Sequence, residues 1–289
     1  MDLDRALEFL DFVGERHRVW LRRQEGESQP WTQNPVLATR KFTNVYRLLD
    51  PGSQFVMTDL LADDPDEFEF LARCLLYRIT NLPSAWRSFP GDLDLTNRPD
   101  EFRSHLHSLK ARGEQVFSGA YMIWGGTVKG VDKIDHVFGV LEGAAPGLAD
   151  FLMADTQAER FEALSGCRGV GAFNAMQVLT DFGYSTEYRE DDFVVPGPGA
   201  RKGATALGMK AEDAIEWGWE AIHKQDDPPL IWGSGNRGHF LSKMDVQNCL
   251  CEFSKYVRFA SKRSAQKPYA PAHSTVQSWV LPSNWHSNI

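Results

Sequence analysis

The length, composition and charge of the chain narrow the classes of protein to which it can belong. It has 289 residues, of which 42% are hydrophobic and 24% charged, and its formal net charge is -8. This composition is typical of a globular protein, and the negative charge disfavours unselective binding to nucleic acid. The first residues are acidic and amphipathic, unlike a signal peptide, and no apolar run reaches the roughly 20 residues of a membrane span. We therefore expect a cytoplasmic protein with no membrane association.

Cysteines and histidines give no sign of a metal site or a disulfide framework. Four cysteines are scattered along the chain, a distribution that suits a reducing compartment. Cys249 and Cys251 lack the spacing of a zinc ribbon. His105 and His107 are two residues apart on a predicted helix and do not face one another. Because the sequence also contains no P-loop and no Rossmann fingerprint, we expect no metal and no cofactor.

Helical periodicity and helix start signals recur along the chain and predict an all-α fold. Two segments differ, namely a short strand-like run at residues 116–126 and a proline-bearing extended tail at residues 268–289. We therefore expect one helical domain at residues 1–267, followed by this tail. The predicted helices cover residues 4–23, 37–50, 65–80, 98–113, 147–166, 171–184, 210–225 and 242–262.

Basic residues are concentrated in two parts of this acidic chain. One group lies within residues 16–47 and the other within residues 255–267, with an acidic stretch at residues 59–70 between them. Local basic patches on an acidic protein permit phosphate contacts in one cleft while limiting unselective binding elsewhere. Taken alone, each group is equally compatible with the solvated face of a helix.

Three glycines, Gly166, Gly169 and Gly171, come directly before the helix predicted at residues 171–184. Glycine tolerates a positive φ and lets another molecule approach the backbone closely. The start of a helix adds unpaired N–H groups and a partial positive charge, which together favour an anion. We therefore expect Gly169 and Gly171 to bind a phosphate, although an ordinary corner between two helices has the same pattern.

Four motifs carry a resemblance to known families. The hairpin LSGCRGVGAFNAMQVLTDF resembles the helix-hairpin-helix of the DNA glycosylase superfamily. The segments PWTQNPVLATRKFTNVYR, DDFVVPGPGARKG and CEFSKYVR resemble more specifically the glycosylase-like α-glutamyl/putrescinyl-thymine pyrophosphorylases, which are related to the helical domain of hydroxymethyluracil DNA kinases. The resemblance implies two helical lobes around a DNA cleft. It also implies a partner, double-stranded DNA with modified bases, whose target base is flipped out of the duplex.

Excision of such a base requires a carboxylate, because breaking the N-glycosidic bond builds positive charge on the sugar. In ordinary glycosylases of this superfamily, a valine–aspartate pair follows the hairpin helix. If Pro196 stands at the position of that aspartate, the acid is missing there; if the loop is longer, Asp191 or Asp192 supplies it. Glu252 is a further candidate acid or base, and its spacing from Lys255 is equally compatible with a salt bridge within a helix.

Basic and amide side chains near these motifs are candidates for contacts with DNA. A helix over residues 37–50 would place Arg40, Asn44 and Arg47 on one face, with Asn44 toward a base edge and the arginines toward phosphates. The alternating prolines and glycines of PGPGARKG predict a rigid bend, next to which Arg201 and Lys202 could grip phosphate or pyrophosphate. The basic and amide candidates are Arg40, Lys41, Asn44, Arg47, Arg201, Lys202 and Lys255.

Three functions are compatible with these motifs. The favoured one is a DNA glycosylase, a hydrolase that removes a bulky hypermodified pyrimidine, such as a glycosylated hydroxymethylpyrimidine, from phage DNA as a defence against phage. The second is a transferase that displaces pyrophosphate from activated hydroxymethyluracil in DNA with an amine or an amino acid. The third is a reader of modified DNA that has no catalytic activity.

Overall fold

Helices are the regular secondary structure of the part of the chain that the structure describes. The computed structural model describes residues 1–118, 128–186, 193–224, 241–261 and 279–280, and these ranges contain no β-strand. The predicted all-α class is therefore confirmed. The helices are α1 (Leu3–Gln24), α2 (Pro35–Thr39), α3 (Pro51–Phe55), α4 (Glu67–Thr80), α5 (Pro83–Arg87), α6 (Pro99–Ala111), α7 (Lys133–Met153), α8 (Gln157–Ser165), α9 (Ala172–Phe182), α10 (Pro198–Ala206), α11 (Ala211–His223) and α12 (Lys243–Ala260).

Two compact units divide the chain. Unit 1 comprises residues 1–50, 196–281 and 285–289, and unit 2 comprises residues 51–195 and 282–284. The strand-like run predicted at residues 116–126 and the tail predicted at residues 268–289 lie mostly outside the described residues. No described helix is both long enough and apolar enough to span a membrane.

Unit 1 is organised around α12, against which α1, α2, α10 and α11 pack. The helix begins at a capping box, in which Ser242 and Asp245 satisfy each other's backbone N–H groups. Its inward face buries Leu250 and Phe253 completely, and the ring of Phe253 meets that of Phe9 edge-on at a centroid distance of 5.3 Å. The functional motifs of this unit are therefore placed by one central helix.

The segment PGPGARKG is not the rigid bend that its prolines and glycines predict. Gly197 caps α10 and Pro198 occupies its first turn, where proline costs no hydrogen bond. A Cβ at Gly199 would lie 2.2 Å from the sulfur of Cys251, and one at Gly203 would lie 2.0 Å from the carbonyl oxygen of Leu250. The glycines therefore serve close packing of α10 on α12.

The prediction of one helix over residues 37–50 is also wrong. α2 ends at Thr39, residues 40–46 are irregular, and a 3₁₀ turn follows at Arg47–Leu49. Tertiary hydrogen bonds replace the helical ones here, since the N–H of Arg47 donates to Asp245 and that of Thr43 donates to Glu252. Arg40, Asn44 and Arg47 therefore do not share a helix face.

Unit 2 is built around α4, in which every residue from Glu69 to Thr80 is buried. α7 and α9 pack on it. The guanidinium of Arg78 on α4 forms a two-pronged ion pair with Asp181 on α9, and both side chains are almost completely buried. Such a pair fixes the relative positions of two helices, because either charge would be costly without the other.

Replacing Gly203 with alanine should destabilise unit 1, because the new methyl group would overlap a backbone oxygen that cannot move without shifting α12. We expect the free energy of unfolding to fall by about 1–3 kcal/mol, measured by urea denaturation. The matched control is Gly139→Ala in the interior of α7, where a Cβ meets nothing within 4 Å. That variant should be neutral or more stable by up to about 1 kcal/mol. Equal stabilities of Gly203→Ala and the native protein would contradict the close packing.

Candidate functional site

Glu252, a predicted catalytic residue, lies on α12 and faces the irregular segment that precedes the 3₁₀ turn. Glu252 is only 6% exposed to solvent. One carboxylate oxygen accepts the backbone N–H of Thr43 at 3.2 Å and lies 2.8 Å from the ammonium of Lys255, one turn further along the helix. The structure therefore brings two of the predicted site residues together as a largely buried ion pair.

Asn44 connects this segment to three parts of unit 1. Its N–H donates to the carboxylate of Asp50 at 2.8 Å, and its side-chain amide donates to the carbonyl of Leu49 at 2.6 Å. Its carbonyl accepts from Arg16 on α1 at 2.6 Å and from Asn248 on α12 at 3.2 Å. The predicted reader of a base edge is thus engaged in holding its own loop.

Arg16 is the most unusual charged group of the unit. Arg16 is only 5% exposed to solvent, and one of its guanidinium nitrogens donates to the backbone carbonyl of Asn44. The other two guanidinium nitrogens, Nε and Nη1, have no hydrogen-bond partner among the described residues. Buried donors without partners are rare in folded proteins, because each carries a desolvation cost. We call Arg16, Asn44, Asp50 and Glu252 the polar cluster.

Burial changes the acid–base properties of the cluster and its surroundings. Desolvation raises the pKa of Asp50 to about 7, against the hydrogen bond from Asn44 and the positive charge of Arg16, while the charge of Glu252 adds to the rise. Burial likewise raises the pKa of Cys249 to about 12. His17, stacked on Trp20, is fully buried, and its desolvation lowers its pKa to about 4. The cluster thus contains one carboxyl group that titrates near neutral pH.

The predicted DNA-contacting residues of unit 1 differ in how open they are to solvent. Arg47 is 5% exposed and its N–H donates to Asp245 at 2.7 Å, so little of it is available to a phosphate. Arg40 is half-buried, with its guanidinium 4.7 Å from the ring centroid of Phe259. The exposed ones are Lys41, Lys202 and Arg201, the last of which pairs with Glu212.

The predicted phosphate-binding turn lies in unit 2, between α8 and α9. Gly169 has φ = +91°, and a Cβ there would lie 2.7 Å from a methyl group of Val140. Gly171 caps α9 without any side-chain hydrogen bond and is exposed. A glycine is therefore required at position 169 by backbone conformation and by packing, whereas Gly171 leaves the first turn of α9 open.

Two further sets of side chains bear on the predictions. Asp191 and Asp192, the favoured catalytic residues, lie outside the described residues. In unit 2, ligand atoms of His107, Asp132 and Asp135 lie within 4.8 Å of one another, a grouping that the spacing of His105 and His107 does not reveal. Both aspartates of this group are also paired with basic side chains, Lys110 and Arg103.

Asp50→Asn should make stability less sensitive to pH. Because the pKa of Asp50 is raised, the folded protein holds this proton more tightly than the unfolded chain, and stability is lost as the pH rises toward 7. The free energy of unfolding of the variant minus that of the native protein should rise by up to about 3 kcal/mol as the pH goes from 5 to 8. Each pKa unit corresponds to about 1.4 kcal/mol.

Urea denaturation at the two pH values measures this difference. Asp213→Asn, at an exposed position of α11 in the same unit, is the matched control and should show no such gain. A difference between Asp50→Asn and the native protein that is constant or falls with pH would contradict the raised pKa.

Comparison with known proteins gives a consistent family for this chain. The family model described as "5-hmdU DNA kinase, helical domain" matches residues 5–266. A 5-hmdU DNA kinase of Bacillus phage SP10 is 29% identical over 221 residues, which cover 68% of this chain and 34% of the relative. The matched region is thus about a third of the length of that kinase. No solved structure matches.

These matches correct the prediction of a DNA glycosylase. The matched relative is named for phosphoryl transfer to DNA, which is a transferase reaction, and a hydrolase that breaks glycosidic bonds is therefore the wrong class. The part of the resemblance that the matches support is the relation to hydroxymethyluracil DNA kinases. Since the family match extends over nearly the whole chain, this protein belongs to the family of the helical domain of 5-hmdU DNA kinases.

Proposed function

We propose that this protein binds DNA in which thymine is replaced by 5-hydroxymethyluracil or a phosphorylated derivative of it, and that it is a transferase acting on that base. The family match over residues 5–266 is the observation that carries the proposal. A similar protein bears the name of a DNA kinase acting on this nucleoside and comes from a phage, which supports modified phage DNA as the substrate.

The proposed reaction is a substitution at the 5-methylene carbon of the base. The nitrogen of an amine or amino acid attacks this carbon, a C–N bond forms, and the C–O bond to the pyrophosphate breaks. The electron pair of that bond leaves with pyrophosphate, and the attacking nitrogen loses a proton to a base. Two kinds of protein group are therefore needed, a proton acceptor and a cation for the leaving group.

The polar cluster of unit 1, together with Lys255 beside it, offers both kinds of group. Glu252 is the proposed proton acceptor, and Lys255, 2.8 Å away, is the proposed cation beside the leaving group. Arg16 adds two buried donors without partners among the described residues, which favour an anion nearby.

Backbone contacts to DNA are proposed for the turn in unit 2. The first N–H groups of α9 have no capping side chain, and Gly171 leaves them open to a phosphate oxygen. Arg168 in the same turn is exposed and adds positive charge. Asp191 and Asp192 stay alternative candidates for the carboxylate of the reaction.

The reaction can be tested on a duplex that contains hydroxymethyluracil activated as its pyrophosphate ester, with putrescine or glutamate as the nucleophile. We expect pyrophosphate release in step with a gain in the mass of the base. Glu252→Gln should lower the rate by about 10²-fold or more, because a general base contributes on the order of 10²–10⁴, and it should leave DNA affinity nearly unchanged.

The control variant is Glu212→Gln, an exposed glutamate of the same unit, which should keep the native rate. Thermal melting of both variants checks their folding. Binding of the activated duplex without pyrophosphate release would reject the transferase and leave a non-catalytic reader of modified DNA.

A further inference from the structure

Two half-exposed aromatic rings and four basic side chains occupy one surface of unit 1. The rings are those of Phe42, from the irregular segment, and Phe259, from the last turn of α12, with centroids 6.2 Å apart and planes at 84°. The basic side chains are Arg40, Lys41, Lys255 and Arg258. We call these six residues the aromatic–cationic patch.

Cations lie directly over both rings. The guanidinium carbons of Arg40 and Arg258 are 4.7 and 5.3 Å from the centroid of Phe259, and the ammonium of Lys255 is 5.2 Å from that of Phe42. Such contacts hold positive charge beside an aromatic face without neutralising it. Arg258 makes no ion pair with any described residue, so its charge is available to an anion from solution.

This combination is complementary to a single strand of nucleic acid. Each nucleotide of a strand offers a flat base that can stack on an aromatic side chain and a phosphate that pairs with a cation. An acidic peptide would match the cations but not the rings. We propose that the aromatic–cationic patch binds an unpaired nucleotide of DNA, with its base against Phe259 and its flanking phosphates on Arg40 and Arg258.

The position of the patch connects it to the polar cluster. Lys255, a member of the patch, contacts the ring of Phe42 and also the carboxylate of Glu252, a member of the polar cluster. A base stacked at the patch would therefore stand close to the proposed proton acceptor. The identity of the base as a modified thymine rests on the proposed function, whereas the binding of an unpaired nucleotide does not.

The test measures binding of the full chain to a fluorescent single-stranded oligonucleotide as a function of salt. Phe259→Leu removes the aromatic face but keeps an apolar side chain, and we expect it to weaken binding by about 5- to 150-fold, as the loss of one stacked base does. Its salt dependence should stay that of the native protein. Arg258→Gln should instead make the negative slope of log affinity against log salt shallower by about 0.7. This is the contribution of one phosphate of a single strand.

The matched control is Phe117→Leu in unit 2, because Phe117 is also half-exposed and has a cation, the ammonium of Lys133, 4.0 Å from its ring centroid. This variant should bind as the native protein does, and melting curves should show that all three variants fold. Unchanged affinity of Phe259→Leu, or an equal loss in Phe117→Leu, would overturn the proposal.

Two more measurements separate this inference from the proposed function. Polyglutamate offers charge without stacking faces, and if it displaces the oligonucleotide as well as unlabelled DNA of equal charge does, the patch binds acidic polymers and the proposal is wrong. Oligonucleotides with thymine and with hydroxymethyluracil are compared in parallel. Equal binding of the two, with the loss in Phe259→Leu retained, supports the patch and counts only against selection of the modified base.

Discussion

The irregular segment at residues 40–46 and the start of the 3₁₀ turn that follows it depend on α12 for backbone hydrogen bonds, and the polar cluster exists because of that dependence. A chain outside helices and sheets must satisfy its N–H and C=O groups in some other way when it is buried. Here Glu252 accepts from Thr43, Asn248 donates to Asn44, and Asp245 accepts from Arg47. Polar side chains are thereby drawn into the interior of unit 1. The close approach of α10 to α12 at Gly203 fixes the helix that carries them.

Buried charges in this unit connect its architecture with chemistry. One guanidinium nitrogen of Arg16 donates to the carbonyl of Asn44 and to the sulfur of Cys249, and Asp50 accepts the N–H of Asn44, so a single loop position contacts both a cation and a carboxyl group. Desolvation then raises the pKa of Asp50 to about 7. Perturbed acid–base groups of this kind concentrate at functional sites, although ion-pair networks that only stabilise a fold also produce them. The family membership is what favours a functional role here.

Sequence patterns predicted the strongly periodic helices and missed what depends on distant contacts. The first two thirds of α7, residues 133–146, lie outside the predicted helices, and this stretch contains Gly139, Gly143 and Pro146, which are weak helix formers. The helical spacing of residues 37–50 was misleading, since bonds to residues about 200 positions away decide that structure. Glu252 was found through a family motif. Asp50 lies at the end of the helix predicted over residues 37–50 and Arg16 at the start of a basic group, and their shared partner Asn44 cannot be recognised from sequence spacing.

In the proposed function, unit 1 binds the target base through α12 and the segment opposite it. Photo-crosslinking can locate that base on the chain. A DNA strand with one 5-iodouracil at the target position is bound to the chain and irradiated, and the attached peptides are identified by mass spectrometry. We expect crosslinks to peptides containing Phe42 or Phe259. Crosslinks confined to peptides of unit 2, with DNA bound at saturation, would contradict it.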